Sequence, residues 1–551
     1  MIFALGLFLI ATGSAAPALD PAVDSGLGWT ATRLDLHVSV LPAQRRLEIH
    51  GTIALKLELE RSTGPALVIN GDEPGARFLR IEAPPGARIE LNRPFPAREG
   101  VLLSHVRFDE ELERGATLEL GFEVECTGRG DQFVVDDEVA LASWVVAWYP
   151  IPRPDLESQR QFSRLLSIPG TTSFHLPAGW TSLSNGSRTE RIEGEGDVVE
   201  TWTLDEPVAR SFAAGPYRVG VHEVDGRSFS VYLLEHEPEE AHVQAESLAR
   251  AIEAMEERFG PFPYPTFGIA EVPEAKVGFY GSSEQGFLMA ASSAFRYGTN
   301  LPLFAHEASH AWWGNLINNH GPGAKLLGES LAQYGAVIAI ETIEGEEAAT
   351  EFLRFSRKGY NSFQCARGYF QILAAGNDKP LGELASDPWD HNLSDSKGHW
   401  LYHMLRYRVG DEAFFATMRA LIERFAGDSI SLEDLQAAFH EAAPDRELER
   451  FFEQWLEREG APILEVEWSA GGAGDPRVTG MLRQTHGGDP YHLYVELDVV
   501  TKEGSVRRTV EIGAEETPFE LEVDAEPLDV LIDPRHRILR WTPEYGKRPV
   551  R

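Results

Sequence analysis

The pentapeptide His306-Glu307-Ala308-Ser309-His310 constrains this chain more than any other stretch. Two histidines four residues apart project from one face of an α-helix, so the segment must be helical if both rings are to reach one ion. Glu307, one residue after the first histidine, sits where it can touch a water at that ion without ligating the metal. Hydrolytic zinc sites take three protein ligands and keep a fourth position for water. Glu329 lies beyond residues 311–328, inside Gly328-Glu329-Ser330-Leu331-Ala332-Gln333-Tyr334, and completes such a set from a second helix. One reading is a surface helix carrying two satisfied histidines. On the other, two helices come together around one zinc ion, with His306, His310 and Glu329 as candidate ligands. Zinc there would draw the pKa of its water toward neutrality and polarise a carbonyl. Glu307 would accept the proton and hand it to a leaving amine.

Composition bounds the setting of this chemistry. At 551 residues the chain is long enough for several domains. Hydrophobic residues at 43% and charged residues at 25% are those of an ordinary globular protein. The net charge of −36 is dispersed along the sequence and argues against non-specific binding to nucleic acid or anionic membranes. The apolar run Met1–Ala11, followed by Thr12-Gly13-Ser14-Ala15-Ala16-Pro17-Ala18, resembles a secretory signal peptide over residues 1–18. Export to a periplasmic or extracellular space is the expectation. No other segment is long and apolar enough to cross a bilayer, so stable membrane insertion is not expected. The two cysteines, Cys126 and Cys365, belong to no CxxC pattern and read as unpaired thiols.

Hydrophobic periodicity divides the remainder into three parts. Residues 28–219 read as an antiparallel β-domain: Leu34, Leu36, Val38 and Val40 alternate with polar residues, as do Ile53, Leu55, Leu57 and Leu59. Residues 220–460 turn mostly helical. Val243, Leu248, Ile252, Met255 and Phe259 form one apolar face, and Ser431-Leu432-Glu433-Asp434 reads as a capping box ahead of Leu435 and Phe439. Residues 461–551 return to alternation at Leu493, Val495, Leu497 and Val499 and at Phe519-Glu520-Leu521-Glu522-Val523, which suggests a small β-sandwich. The fold class expected is α+β and multidomain.

The surroundings of the histidine pair carry a resemblance. His310-Ala311-Trp312-Trp313-Gly314-Asn315 continues from the second histidine, and Glu329 follows at a fixed interval within Gly328–Ala332. In these features the sequence resembles the aminopeptidase N family of gluzincin zinc metallopeptidases. The resemblance is strong over about 265–460 and looser outside it, including Trp148-Tyr149-Pro150-Ile151-Pro152 and Ser211–Tyr217. It implies a thermolysin-like catalytic domain between the two β-domains and peptide or protein substrates with a free N-terminus. It also implies a substrate-binding segment at Gly281-Ser282-Ser283-Glu284-Gln285, where Gly281 and Glu284 match the family and Glu284 would pair with the substrate ammonium. Taken alone, Glu284 reads as an exposed loop acid.

One family feature differs. The tyrosine that donates to the oxyanion stands two residues before a Lys-Gly pair, and here Asp395 precedes Ser396-Lys397-Gly398. An ionised carboxylate cannot donate a hydrogen bond. His399, one turn further along, is the nearest alternative donor. Tyr402 is expected in the core, and Tyr280 and Tyr360 stay open as donors. Two functions follow: an exported aminopeptidase hydrolysing N-terminal peptide bonds with zinc and water, or a catalytically weak or inactive zinc-binding relative that recognises peptide N-termini.

Overall fold

Two long strands set the frame of the N-terminal region. Trp29–Leu41 and Arg46–Leu57 pair antiparallel, and Leu34, Leu36, Val38 and Val40 are buried on one face, as their alternation requires. Leu59 departs from that pattern. The second strand ends at Leu57, where the chain turns out of the ladder, and Leu59 is 51% exposed. The computed structural model describes residues 26–549 apart from 97, 155–166, 206–207, 235, 237, 386 and 472–476, so the expected signal peptide lies outside the described residues.

The chain divides into two compact units, residues 1–250 with 263–300, and residues 251–262 with 301–551. The first is built on β-sheets. Its largest sheet has seven strands in the order Ser187–Glu193, Asp197–Leu204, Gly170–Pro177, Trp29–Leu41, Arg46–Leu57, Thr117–Cys126 and Ala76–Glu82. All its pairs are antiparallel except Trp29–Leu41 with Gly170–Pro177. Arg210 is wholly buried here and donates to the carbonyls of Leu34 (2.6 Å) and Ile168 (2.7 Å). Its own backbone receives Trp148 Nε1 and reaches Tyr149 Oη, so the Trp148–Pro152 segment is fixed by a buried polar network.

A mixed five-stranded sheet completes this unit, in the order Arg218–Val224, Arg227–Leu233, Thr266–Val272, Phe287–Ala291 and Gly281–Glu284. The last is an antiparallel edge strand, so Glu284 lies in a ladder rather than in an exposed loop. Helix α1 (Pro238–Phe259) follows the first two strands. Its buried stripe runs Ala241, Ala245, Leu248, Ile252, Met255 and Phe259 at steps of four and three. Val243, expected on that stripe, falls two residues off it, on the far side of the helix, and is 52% exposed.

The second unit is mainly helical. Helix α2 (Leu301–Ser309) is buried along its whole length, and α3 (Leu331–Glu344) packs on it. Gly335 permits this: a Cβ there would run into the Ser309 side chain. The α2 exit is held by aromatic rings, with Trp312 and Trp313 edge-on to Phe259 at 5.7 and 5.8 Å. Helices α4 (Glu346–Phe355) and α5 (Ala366–Ala374) lead to α6 (Pro388–Leu393), which continues through a wide turn into α7 (His399–Val409). Helices α8 (Asp411–Phe425), α9 (Leu432–Ala442) and α10 (Leu448–Leu456) close the region. The Ser431 capping box forms with Asp434, and Leu435 and Phe439 are buried behind it.

Two three-stranded antiparallel sheets follow: Leu464–Ala470, Arg477–Gln484 and Glu516–Glu522, and Gly504–Ile512, Leu493–Thr501 and Pro527–Ile532. Alternation on the central strand is incomplete, because Glu496 and Asp498 are buried together with Val495, Leu497 and Val499. Their charges are met by Arg535 and Arg507. The architecture is α+β and multidomain, with a β-rich N-terminal region ahead of a helical one. No described helix is long and apolar enough to cross a membrane. Both cysteines are buried and unpaired.

Candidate metal centre

Helix α2 presents His306 and His310 on one face, their ring centroids 5.1 Å apart. Glu329 comes from the turn Leu326–Ser330 that leads into α3. This turn is π-helical, one residue wider than an α-turn, a form that recurs at functional sites. Glu329 Oε2 lies 3.8 Å from His306 Nε2 and 3.9 Å from His310 Nε2. Ligand atoms each about 2.1 Å from one ion span separations close to these. The three groups form one cluster able to hold a metal.

Each histidine is oriented from behind. His306 Nδ1 meets Gln333 Oε1 at 2.9 Å, and His310 Nδ1 meets the Trp313 carbonyl at 3.0 Å. Acceptors on Nδ1 place the proton there and leave both Nε2 lone pairs facing Glu329, which is the tautomer a metal ligand needs. Burial pushes His306 down to about 3, and the neighbouring His310 adds to the effect, so the ring is neutral. Glu329 is held below the ordinary carboxylate range. Burial opposes its ionisation, but His391, His310, Lys325 and His306 together outweigh it. One carboxylate and two imidazoles turned with Nε2 toward it are a donor set that fits a divalent cation such as zinc. Glu307 is buried on the same helix, one residue round from His306.

Behind this cluster lies a second one. Asp395 sits in another π-helical turn, Ser394–Gly398, between α6 and α7. The two wide turns are pinned together: Ser330 Oγ donates to the Ser394 carbonyl at 2.6 Å, and any side chain at Gly398 would collide with Ser330. Asp395 is wholly buried, and burial raises its carboxyl, with Glu329 adding to the shift. Its Oδ2 accepts from Gln364 Nε2 at 2.5 Å and faces His391 Nε2 at 3.2 Å. His391 Nδ1 in turn is 3.4 Å from Glu329 Oε2. His399, expected as the nearest alternative donor, is turned away. It is fully buried, with Nδ1 on the Asp395 carbonyl at 2.7 Å. Tyr402 is in the core, its hydroxyl on the Leu326 carbonyl, and the Tyr360 hydroxyl donates to Gln333 Oε1 at 2.7 Å. Sequence reasoning missed Gln333, Gln364 and His391. The i, i+4 spacing of His391 and Asp395 was the available signal.

Glu284, in the β-rich unit, has different surroundings. It is 0% exposed, with Ser143 Oγ and Ser211 Oγ donating to Oε2 at 2.9 and 2.6 Å and Ser282 Oγ to Oε1 at 2.9 Å. Burial pushes it up to about 7, although the three hydroxyls favour the charged form. Gln285 fixes the backbone beside it: its side chain accepts from Ala209 N at 2.6 Å, and its carbonyl accepts from Asn185 Nδ2 at 2.5 Å. Gly281 opens the same strand.

The helix pair carries a cluster of two histidines and one carboxylate able to hold a metal ion, set in an α+β architecture. Residues 243–455 match the peptidase family M1 domain, and the chain is similar to curated members of the aminopeptidase N family. It is 24% identical over 339 residues to aminopeptidase N of Streptomyces lividans, covering 58% of this chain and 38% of that protein. With aminopeptidase N of Lactococcus lactis subsp. lactis it is 30% identical over 171 residues, 30% of this chain and 19% of the relative. The crystal structure of Legionella pneumophila aminopeptidase A in complex with aspartic acid has the same fold, with a TM-score of 0.65 at 15% identity. That match covers 94% of this chain and 60% of that one. The chain thus spans well under half the length of these two curated relatives.

Proposed function

We propose that this protein is an exported, zinc-dependent aminopeptidase that removes residues from the N-terminus of peptides. The observation that carries the reading is the convergence of His306 Nε2, His310 Nε2 and Glu329 Oε2, each histidine with an acceptor behind Nδ1. A zinc ion held there would polarise the scissile carbonyl and lower the pKa of a water molecule beside it. Glu307 is the proton carrier, taking a proton from the attacking water and delivering it to the leaving nitrogen. Glu284 is the anchor for the substrate ammonium. Three serine hydroxyls hold its carboxylate in one orientation, and a charge-assisted contact to an ammonium calls for a carboxylate there. Gly281 starts the strand that carries it. Export follows from the apolar run Met1–Ala11 and the small residues after it.

A second reading is supported by Asp395, which puts a buried carboxylate at the position where the family carries a donor hydroxyl. On that reading the chain binds zinc and peptide N-termini but turns over slowly or not at all. A panel of aminoacyl fluorogenic amides, assayed with and without a chelator, separates the two. Turnover abolished by the chelator and restored by zinc supports the enzyme. Stoichiometric zinc with no turnover on any amide supports the binder. Cleavage that ignores the chelator removes both.

A further inference from the structure

Three polar side chains, Gln364, Asp395 and His391, lead in that order to Glu329 of the ligand cluster. Asp395 is fully buried, and its Oδ2 is committed to Gln364 Nε2. His391, one turn earlier on the same helix, retains 25% of its side-chain exposure. Its Nε2 faces Asp395 Oδ2 at 3.2 Å and its Nδ1 faces Glu329 Oε2 at 3.4 Å. That same Glu329 oxygen is the one nearest His306 Nε2 and His310 Nε2, so the imidazole stands against the ligand cluster. Both its ring nitrogens face carboxylate oxygens. Other candidate donors in this unit are engaged elsewhere: His399 with the Asp395 carbonyl, Tyr402 with the Leu326 carbonyl and Tyr360 with Gln333.

We propose that His391, held in orientation by Asp395 and Gln364, is the hydrogen-bond donor to the oxyanion of the tetrahedral intermediate, in the place where the family has a tyrosine. The assignment rests on reading the cluster as a peptidase site. Once Glu329 is engaged as a ligand, the Nδ1–H of His391 has the scissile carbonyl oxygen as its next acceptor. In the reaction it serves, water oxygen bonds to the carbonyl carbon and the C–N bond breaks. One water proton reaches the amine through Glu307 and the other follows from the new carboxyl group. His391 shares its proton with the oxyanion and keeps it when the C=O bond re-forms. Asp395 is then a positioning residue: its carboxylate fixes the ring while Gln364 fixes the carboxylate.

The test uses the full zinc-loaded chain and its H391F, H391Q and D395N variants. Three readouts are taken: zinc content, kcat and KM on an aminoacyl anilide, and calorimetric affinity for a phosphinic pseudodipeptide, whose tetrahedral anion mimics the oxyanion. H391F should keep its zinc and hold KM within a few-fold. It should lose roughly 100-fold in kcat, the scale of one missing oxyanion donor, and the phosphinate should weaken in parallel. H391Q, which retains an N–H donor, should recover part of both losses, and D395N should fall between. If H391F does not fold, as judged by its thermal transition, H391Q against D395N carries the comparison. Unchanged kcat and phosphinate affinity in H391F and H391Q would overturn the assignment. So would a drop in bound metal, from one ion to none or from two to one, which would make His391 a ligand. Should the wild type cleave nothing, the peptidase reading fails by itself. Phosphinate affinity then still decides whether His391 is the anion donor.

Discussion

Glu284 and Asp395 are both fully buried carboxylates on ordered backbone, yet their surroundings differ. Glu284 sits in an edge strand with three serine hydroxyls on its two oxygens. Asp395 sits in a widened helical turn with one amide donor on Oδ2 and a histidine at its side, while Oδ1 has no hydrogen-bond partner among the described residues. A buried charge is tolerated when its acceptor sites are filled and is costly otherwise. Glu284 is therefore held in one orientation by its hydroxyl partners, whereas Asp395 is placed to act through its neighbour. The contrast also explains why the same residue type can anchor a substrate in one place and orient an imidazole in another.

The comparison presumes a loaded metal cluster, so its largest test lies there. His306→Ala or Glu329→Ala leaves two ligands, and zinc content measured after dialysis should fall from about one ion to near none, with all turnover lost. Unchanged metal in both variants would move the centre elsewhere. Next in size, Glu307→Gln should retain zinc while kcat falls by roughly 10²–10⁴-fold, the range of a lost general base. Wild-type turnover in that variant would pass the proton to another group, with His391 the first to examine.

Two smaller effects address the carboxylates themselves. Glu284 has a folded-state value of about 7, above its ordinary 4.5. Its contribution to stability is therefore fully present below about pH 4.5 and is lost as pH rises through about 7. Glu284→Gln should accordingly match the wild type in chemical denaturation at pH 4 and exceed it at pH 8 by up to about 3 kcal/mol, at 1.36 kcal/mol per unit. Its kcat/KM on free N-termini should drop, and only the wild type should show a rise with pH through about 7. A variant no more stable at pH 8 would mean that the serines already hold the charge at no cost. Asp395→Tyr should lower stability by about 1–3 kcal/mol, because a phenol overfills a closed site. It should bring no gain in kcat, and a gain would show that the turn can open to present a hydroxyl.

Much of this was legible in the sequence, and the residues show why. The His306–His310 spacing demands a helix, and period-two runs such as Leu34–Val40 demand strands, so these elements follow from local periodicity alone. Val243 and Leu59 misled because they match a period over a short window while the element's axis or end excludes them. Glu496 and Asp498 misled because arginines from other segments cover them, which no local pattern records. The two π-helical turns were invisible: an inserted residue in a helix has no propensity signature, and it alters which side chains share a face. His391 is marked in the sequence only by its i, i+4 spacing to Asp395, a signal too common to single out one histidine.

Those turns carry one more consequence. Each is a helix with a single residue too many, and together they interlock through Ser330, Ser394 and Gly398. Deleting Ser330, the residue between Glu329 and α3, would let the helix close into uninterrupted α-form and turn Glu329 by about 100° relative to α3. The backbone would gain regularity while Glu329 left the histidines. Deletion within 396–398 would swing His391 and Asp395 together relative to α7 in the same manner. At these two places, a chain shortened by one residue would form better helices and lose its chemistry.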